Sequence, residues 1–162
     1  MNCNHDVPVS AACIIRELEH RGWELTKAQT LNGDNWEDIL FTLVPELRTM
    51  CGFQQNNPYH VYDVWKHTAE ALKTAGDDTI VALTVLFHDI GKPQCYTEDE
   101  DGRGHFYGHG PVSAGITNLV MKRLKFDEQT IDTVVELVKY HDADLHEKRR
   151  SIRTWLDRLG EK

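Results

Sequence analysis

The segment Thr79–Phe87, TIVALTVLF, is apolar on nearly every face of a helix and runs directly into His88-Asp89. A helix that is hydrophobic all round has to be enclosed by its neighbours, so Thr79 to about Asp89 is expected at the centre of the domain. The carboxylate at its end is then carried out of water, where an ionised group without a partner is strongly disfavoured. A divalent cation is one partner that meets this demand. A helix-terminal histidine beside a capping aspartate is the plainer reading of the pair alone. Because adjacent helical residues diverge by about 100°, the pair can hold two sides of one metal or bridge two.

The rest of the chain supplies further helices to surround this one. Ser10, as an N-cap, opens a helix through Ile14, Ile15 and Leu18 to a stop near Gly22. Residues 23–35 read as turn and loop around Asn32-Gly33-Asp34, and a short helix covers Trp36 to Leu43 before Pro45. Gln54 to Pro58 is a loop, since the residue before proline avoids the α region. Helical spacing resumes from Val61 to Ala75 through Val64, Thr68, Ala71, Leu72 and Ala75, with Gly76 as terminator and Asp77 or Asp78 as the next cap. Gly91 and Pro93 end the central helix, and residues 94–108 form a loop or a small hairpin. A helix starting at Gly110-Pro111 presents Val112, Ile116, Leu119 and Arg123, with Val120 and Leu124. Asp127 caps another to His141, and a last one lies near Lys148 to Leu159. Strand signals are few, so the expected fold is all-α, a single domain over residues 1–162.

Nine histidines in 162 residues are many, and their positions are not random. His67 falls on the core-facing stripe three residues after Val64, and His141 continues the inward series Ile131, Val134, Val138. His109 stands just ahead of a helix start, between Gly108 and Gly110. Any one of them alone is best read as a hydrogen-bonded core histidine, but several inward histidines with an inward aspartate are hard to explain as packing. The intervals of 21, 20 and 32 residues from 67 to 88, 89 to 109 and 109 to 141 each fit a helix plus a connection, so the groups can converge. Histidine and carboxylate without cysteine suit first-row divalent ions or magnesium rather than a structural zinc finger.

Composition narrows the class further. Eighteen basic against 26 acidic residues leave a net charge of −8, which argues against duplex nucleic acid and anionic membranes as partners, since both demand a cationic surface. Cys3, Cys13, Cys51 and Cys95 form no CxxC pair and are read as reduced thiols. No basic n-region followed by an apolar run is seen at the N-terminus, and the most apolar stretch is too short to span a bilayer. The expected location is therefore the cytoplasm.

His67, the run HDIGKP from His88, and the later His109 and His141-Asp142 resemble the HD-domain metal-dependent phosphohydrolases. More closely, NNPYHVYDVWKHT, LFHDIGKP, GRGHFYGHGPVSAG and RLKF resemble the HD domain of bacterial tRNA nucleotidyltransferases, the CCA-adding enzymes. The likeness runs from about Pro45 to Gly160, with residues 1–44 as a helical extension. It implies a compact helical bundle with a site for one or two divalent ions (Mn, Fe, Co, Ni, Zn or Mg). By motif matching, His67, His88 and Asp89 would be the primary ligands, His109 and His141 would complete or add a position, and Asp142 would stand in for a later closing aspartate, with Asp144 and Asp157 behind it. The chain lacks the glycine-rich turn and paired aspartates of a nucleotidyltransferase head, so nucleotide addition is not expected of it.

The implied activity is hydrolysis of nucleotide-type phosphomonoesters or 2′,3′-cyclic phosphodiesters, because a metal lowers the pKa of bound water from 15.7 to about 7 in favourable sites. Asp89 is expected to act as ligand and proton acceptor and Lys92 to contact phosphate, although a lysine at a helix end also suits the dipole in solvent. His60 and Arg103 are weaker substrate-facing candidates, with Tyr107 and Arg149-Arg150 at the phosphate entrance. The partner expected is a small phosphate ester, a nucleotide or an RNA end. Two rival readings remain: a regulatory module that binds a nucleotide or RNA end, and a fragment of a larger tRNA-processing enzyme.

Overall fold

The computed structural model describes residues 8–22, 36–58 and 60–142. Seven α-helices are found there: α1 (Val9–His20), α2 (Trp36–Leu43), α3 (Val64–Leu72), α4 (Thr79–Phe87), α5 (Lys92–Cys95), α6 (His109–Arg123) and α7 (Glu128–Tyr140). A 3-10 turn covers Pro45–Met50, and a two-residue hairpin joins β1 (Thr97–Glu98) to β2 (Gly104–His105) in antiparallel register. The fold is all-α with that one hairpin among the described residues. The expected turn at 23–35 and the helix near 148–159 lie outside them.

The all-apolar helix α4 is the hub, touching α1, α3, α6 and α7. Its Ala82, Leu83, Leu86 and Phe87 are buried in one core with Ile14 and Leu18 of α1, Leu40 of α2, Leu72 of α3, Met121 of α6 and Val134 of α7. Truncating one of the leucines, Ile14, Met121 or Phe87 to alanine costs about 2–5 kcal/mol, as lost transfer energy plus the cavity left behind. Trp65 belongs to the core as well, packed against Phe41 with ring centroids 4.6 Å apart.

Local chemistry sets the helix starts. Asp78 and Asp127 cap α4 and α7 by accepting from Val81 N at 3.0 Å and Thr130 N at 2.9 Å. Asp63 caps α3 through Lys66 N at 2.7 Å, and this moves the start from the expected Val61 to Val64. Ser10 is not the cap of α1. It lies inside the helix, fully buried, and its hydroxyl donates to Leu72 O, tying α1 to α3. Pro93 does not simply end the central helix either, because it sits in the first turn of α5, where its missing N–H leaves no bond unmade.

The buried face of α6 differs from the expected stripe. Leu119 is 71% exposed, and the inward residues are Gly110, Ser113, Ala114, Thr117, Val120 and Met121. Apolarity misidentified this face because close approach, not oiliness, is what it needs. A Cβ on Gly110 would meet Lys139 O of α7 at 2.6 Å, and one on Gly91 would meet Ser113 N at 2.7 Å. The helix also begins at His109, one residue before the expected Gly110-Pro111, after Gly108 in the left-handed conformation with φ 76°. Cys13, Cys51 and Cys95 carry free thiols, and among the described residues no helix is long and apolar enough to cross a membrane.

Candidate metal centre

Asp89 is 1% exposed, in the turn that follows α4. Four imidazoles from four elements meet its carboxylate. His88 Nε2 stands 3.1 Å and His67 Nε2 3.8 Å from Oδ2. His109 Nε2 stands 3.3 Å and His141 Nε2 3.5 Å from Oδ1. His67 comes from α3, His88 and His141 are the C-terminal caps of α4 and α7, and His109 is the first residue of α6. The close contacts of Gly91 and Gly110 are what bring the last of these within reach.

Ring orientation is fixed by the backbone. Nδ1 of His88, His109 and His141 lies 2.7, 2.8 and 2.7 Å from the carbonyl oxygens of Val85, Phe106 and Val138. A carbonyl only accepts, so each Nδ1 carries a proton and Nε2 is the ring atom turned inward, with a lone pair there in the neutral tautomer. His109 Nε2 and His141 Nε2 are then only 3.1 Å apart, beside an anionic oxygen. Such a cluster of lone pairs repels unless positive charge lies among them, and a second proton on a ring or a cation meets that need.

The donor set fits a divalent ion. Two triads, His67–His88–Asp89 and Asp89–His109–His141, each place their ligand atoms within 4.8 Å of one another. Asp89 is shared, offering one oxygen to each. Its buried Oδ2 has no aligned hydrogen bond, although Lys92 Nζ approaches to 2.8 Å. Backbone-anchored Nδ1–H groups that orient Nε2 are the usual support for a metal-binding histidine.

Electrostatics run the same way. Burial disfavours the Asp89 anion, but the rings of His109, His141 and His88 outweigh it and hold the carboxyl well below the ordinary carboxylate range. Burial opposes protonation of His141, yet Asp89 and the Val138 carbonyl carry it above the usual imidazole value. His67 and His60 are pushed below that value, chiefly by burial, which keeps them neutral at physiological pH.

Lys92 is not the solvated lysine of the plainer reading. It is buried, paired with Asp89 at 2.8 Å and donating to Gln55 Oε1 at 2.9 Å. Gln55, itself buried, escaped the sequence reading because it lies in the loop expected at 54–58, where no periodicity marks an inward side chain. The centre opens into a cleft of about 640 Å³ lined also by His60, Asp142, Lys139, His105 and Tyr107. Asp142 belongs to neither triad. Arg103 precedes β2 and is not among the lining residues. Asp144, Asp157 and Arg149-Arg150 lie outside the described residues.

A helical domain built around a His–Asp cluster at the end of its central helix defines a metal-dependent class. The HD domain family model matches residues 59–159, and the chain belongs to that family. It is 33% identical over 129 residues to the A-adding tRNA nucleotidyltransferase of Deinococcus radiodurans, covering 76% of this chain and 30% of that protein. It is 34% identical over 121 residues to the CC-adding tRNA nucleotidyltransferase of Thermus thermophilus, covering 71% and 28%. A bifunctional uridylyltransferase/uridylyl-removing enzyme of Gluconobacter oxydans is 29% identical over 129 residues, covering 66% and 12%. The chain thus spans less than a third of the length of these relatives.

Proposed function

We propose that the protein is a metal-dependent phosphohydrolase acting on nucleotide-type phosphomonoesters or 2′,3′-cyclic phosphodiesters. The observation that carries this reading is the convergence of four imidazole Nε2 atoms on the two oxygens of one buried carboxylate, three of the rings locked by backbone carbonyls. His67, His88 and Asp89 would hold one ion, and Asp89, His109 and His141 a second. A divalent ion there supplies Lewis acidity toward phosphoryl oxygens and acidifies water. The chain's own groups do the rest. Lys92, with Asp89 and Gln55 holding its ammonium at the cleft wall, offers charge to a phosphoryl oxygen. Asp89 is kept ionised, the state in which it can serve as a ligand to a cation. His60 and Lys139, at the cleft wall, face the incoming ester.

The relatives' names speak of adding nucleotides to tRNA and of removing uridylyl groups, so handling of nucleotidyl groups is shared ground. Elemental analysis of the purified protein, with a panel of nucleoside monophosphates and 2′,3′-cyclic nucleotides assayed under several divalent ions, tests the proposal. Bound metal with turnover of at least one ester is the expected result. Inertness toward every ester under every ion would leave a nucleotide- or RNA-end-binding regulatory module.

A further inference from the structure

The turn between β2 and α6 carries an aromatic ring that the core does not need. Tyr107 is 78% exposed yet lines the same cleft as Asp89 and Lys92. Its position is held by a relay of hydrogen bonds. Asp99 Oδ1 accepts from Asp101 N and Arg103 N and pins the turn. Asp99 Oδ2, 3.0 Å from His105 Nε2, accepts that ring's proton, so His105 Nδ1 is left to accept from the Tyr107 hydroxyl at 3.2 Å. The two rings lie parallel within 8°, with centroids 5.2 Å apart, so one face of Tyr107 is shared with His105 and the other is open.

The chain on either side joins Tyr107 to the centre. Phe106 lines the cleft too, packed against Tyr96 with centroids 5.5 Å apart and with Lys92 Nζ 5.3 Å from its own ring centroid, and its carbonyl orients the His109 ring. Gly108, at φ 76°, then turns the backbone into α6. One residue, Gly108, separates Tyr107 from His109, at most about 7.6 Å between Cα atoms. A flat open ring this close to a phosphate site matches one chemistry well, the planar base of a nucleotide whose phosphate reaches the metal ligands. Stacking on tyrosine accepts any base, since every base offers a π face.

We propose that Tyr107, braced by His105 and Asp99, is a base-stacking subsite, and that nucleotides rather than simple phosphate esters are the ligands of this cleft. The proposal rests on the phosphohydrolase reading only for where the phosphate lies. It is tested by calorimetric titration of the purified protein with adenosine 5′-monophosphate and with ribose 5-phosphate, using wild type, Tyr107→Ala and Tyr107→Trp. Tyr107→Ala is expected to weaken adenosine monophosphate binding roughly ten-fold, leaving ribose 5-phosphate affinity and metal content unchanged, and Tyr107→Trp to retain wild-type binding. Equal affinities of wild type and Tyr107→Ala for the nucleotide, or an equal loss for both ligands, would overturn it. Tyr107-dependent binding without turnover would sink the hydrolase reading and leave the stacking subsite standing.

Discussion

Gly110→Ala tests how tightly the centre depends on helix spacing. The added Cβ would lie 2.6 Å from Lys139 O, whereas ordinary contact begins at 3.4 Å, so α6 and α7 must part by about 0.8 Å. The obstacle is backbone, which cannot swing aside, and overpacking of this kind costs about 1–3 kcal/mol. Alanine's better helix propensity returns up to about 1 kcal/mol. With the full return, the net loss is up to about 2 kcal/mol and lowers the melting temperature by up to about 8 °C for a chain of this size. His109 rides at the start of α6 and His141 at the end of α7, with their Nε2 atoms 3.1 Å apart. A shift of 0.8 Å exceeds the roughly 0.2 Å tolerance of a metal–ligand distance, so one of two bound ions should be weakened at least ten-fold while the His67–His88–Asp89 triad keeps its own. Scanning fluorimetry and metal titration read both effects. An unchanged melting temperature with unchanged metal stoichiometry would refute the spacing argument.

His88→Ala or Asp89→Ala should strip most of the bound metal, and wild-type retention in both would dismiss the ligand assignment. Lys92→Ala should keep the metal yet slow ester hydrolysis about 10²-fold, by analogy with loss of one charge-stabilising donor; unchanged turnover would assign its ammonium to structure alone. Glu46→Gln probes the Arg123 pair, whose hydrogen bond depresses the Glu46 carboxyl below its ordinary value. A depressed acid stabilises the fold fully above the unfolded pKa and loses that contribution as pH falls through the folded one. The variant should therefore unfold at lower urea than wild type at pH 7, by less than about 1 kcal/mol, and match it near pH 2. Asp127→Ala should lose about 1 kcal/mol through the missing cap on Thr130 N, read as a lower urea midpoint.

Side-chain pattern exposed the elements whose burial is driven by apolar surface. The uniform α4, the inward run Ile131, Val134, Val138 and the inward placement of His67 and His141 follow from periodicity. The Asp127 cap follows from capping chemistry, which left Asp77 and Asp78 as alternatives for α4. The gathering of the full set with His88, Asp89 and His109 follows from spacing and the resemblance. What periodicity could not show is where backbones touch. The working face of α6 is made of glycine, serine, alanine and threonine, and its meaning lies in distances to Lys139 and Gly91 that no single-sequence pattern encodes. Ser10 misled for a related reason, since a serine that ties two helices together looks in sequence like one that begins a helix. Gln55 and the Tyr107 brace sit in loops, where position is set by tertiary hydrogen bonds alone.

The three carbonyls behind His88, His109 and His141 have a consequence for how the protein is assembled. Each imidazole is aimed by a peptide group three residues upstream, helical for His88 and His141 and in the turn before α6 for His109, so the three rings take their rotamers as the chain folds. The entropy of ordering these ligands is spent during folding, not at the moment an ion arrives. Small zinc modules work the other way, collapsing only around their metal. In this chain the ion should enter a finished seat: chelation would leave helical circular dichroism intact, and added metal would raise the melting temperature gradually with its concentration, as a ligand does that binds only the native state.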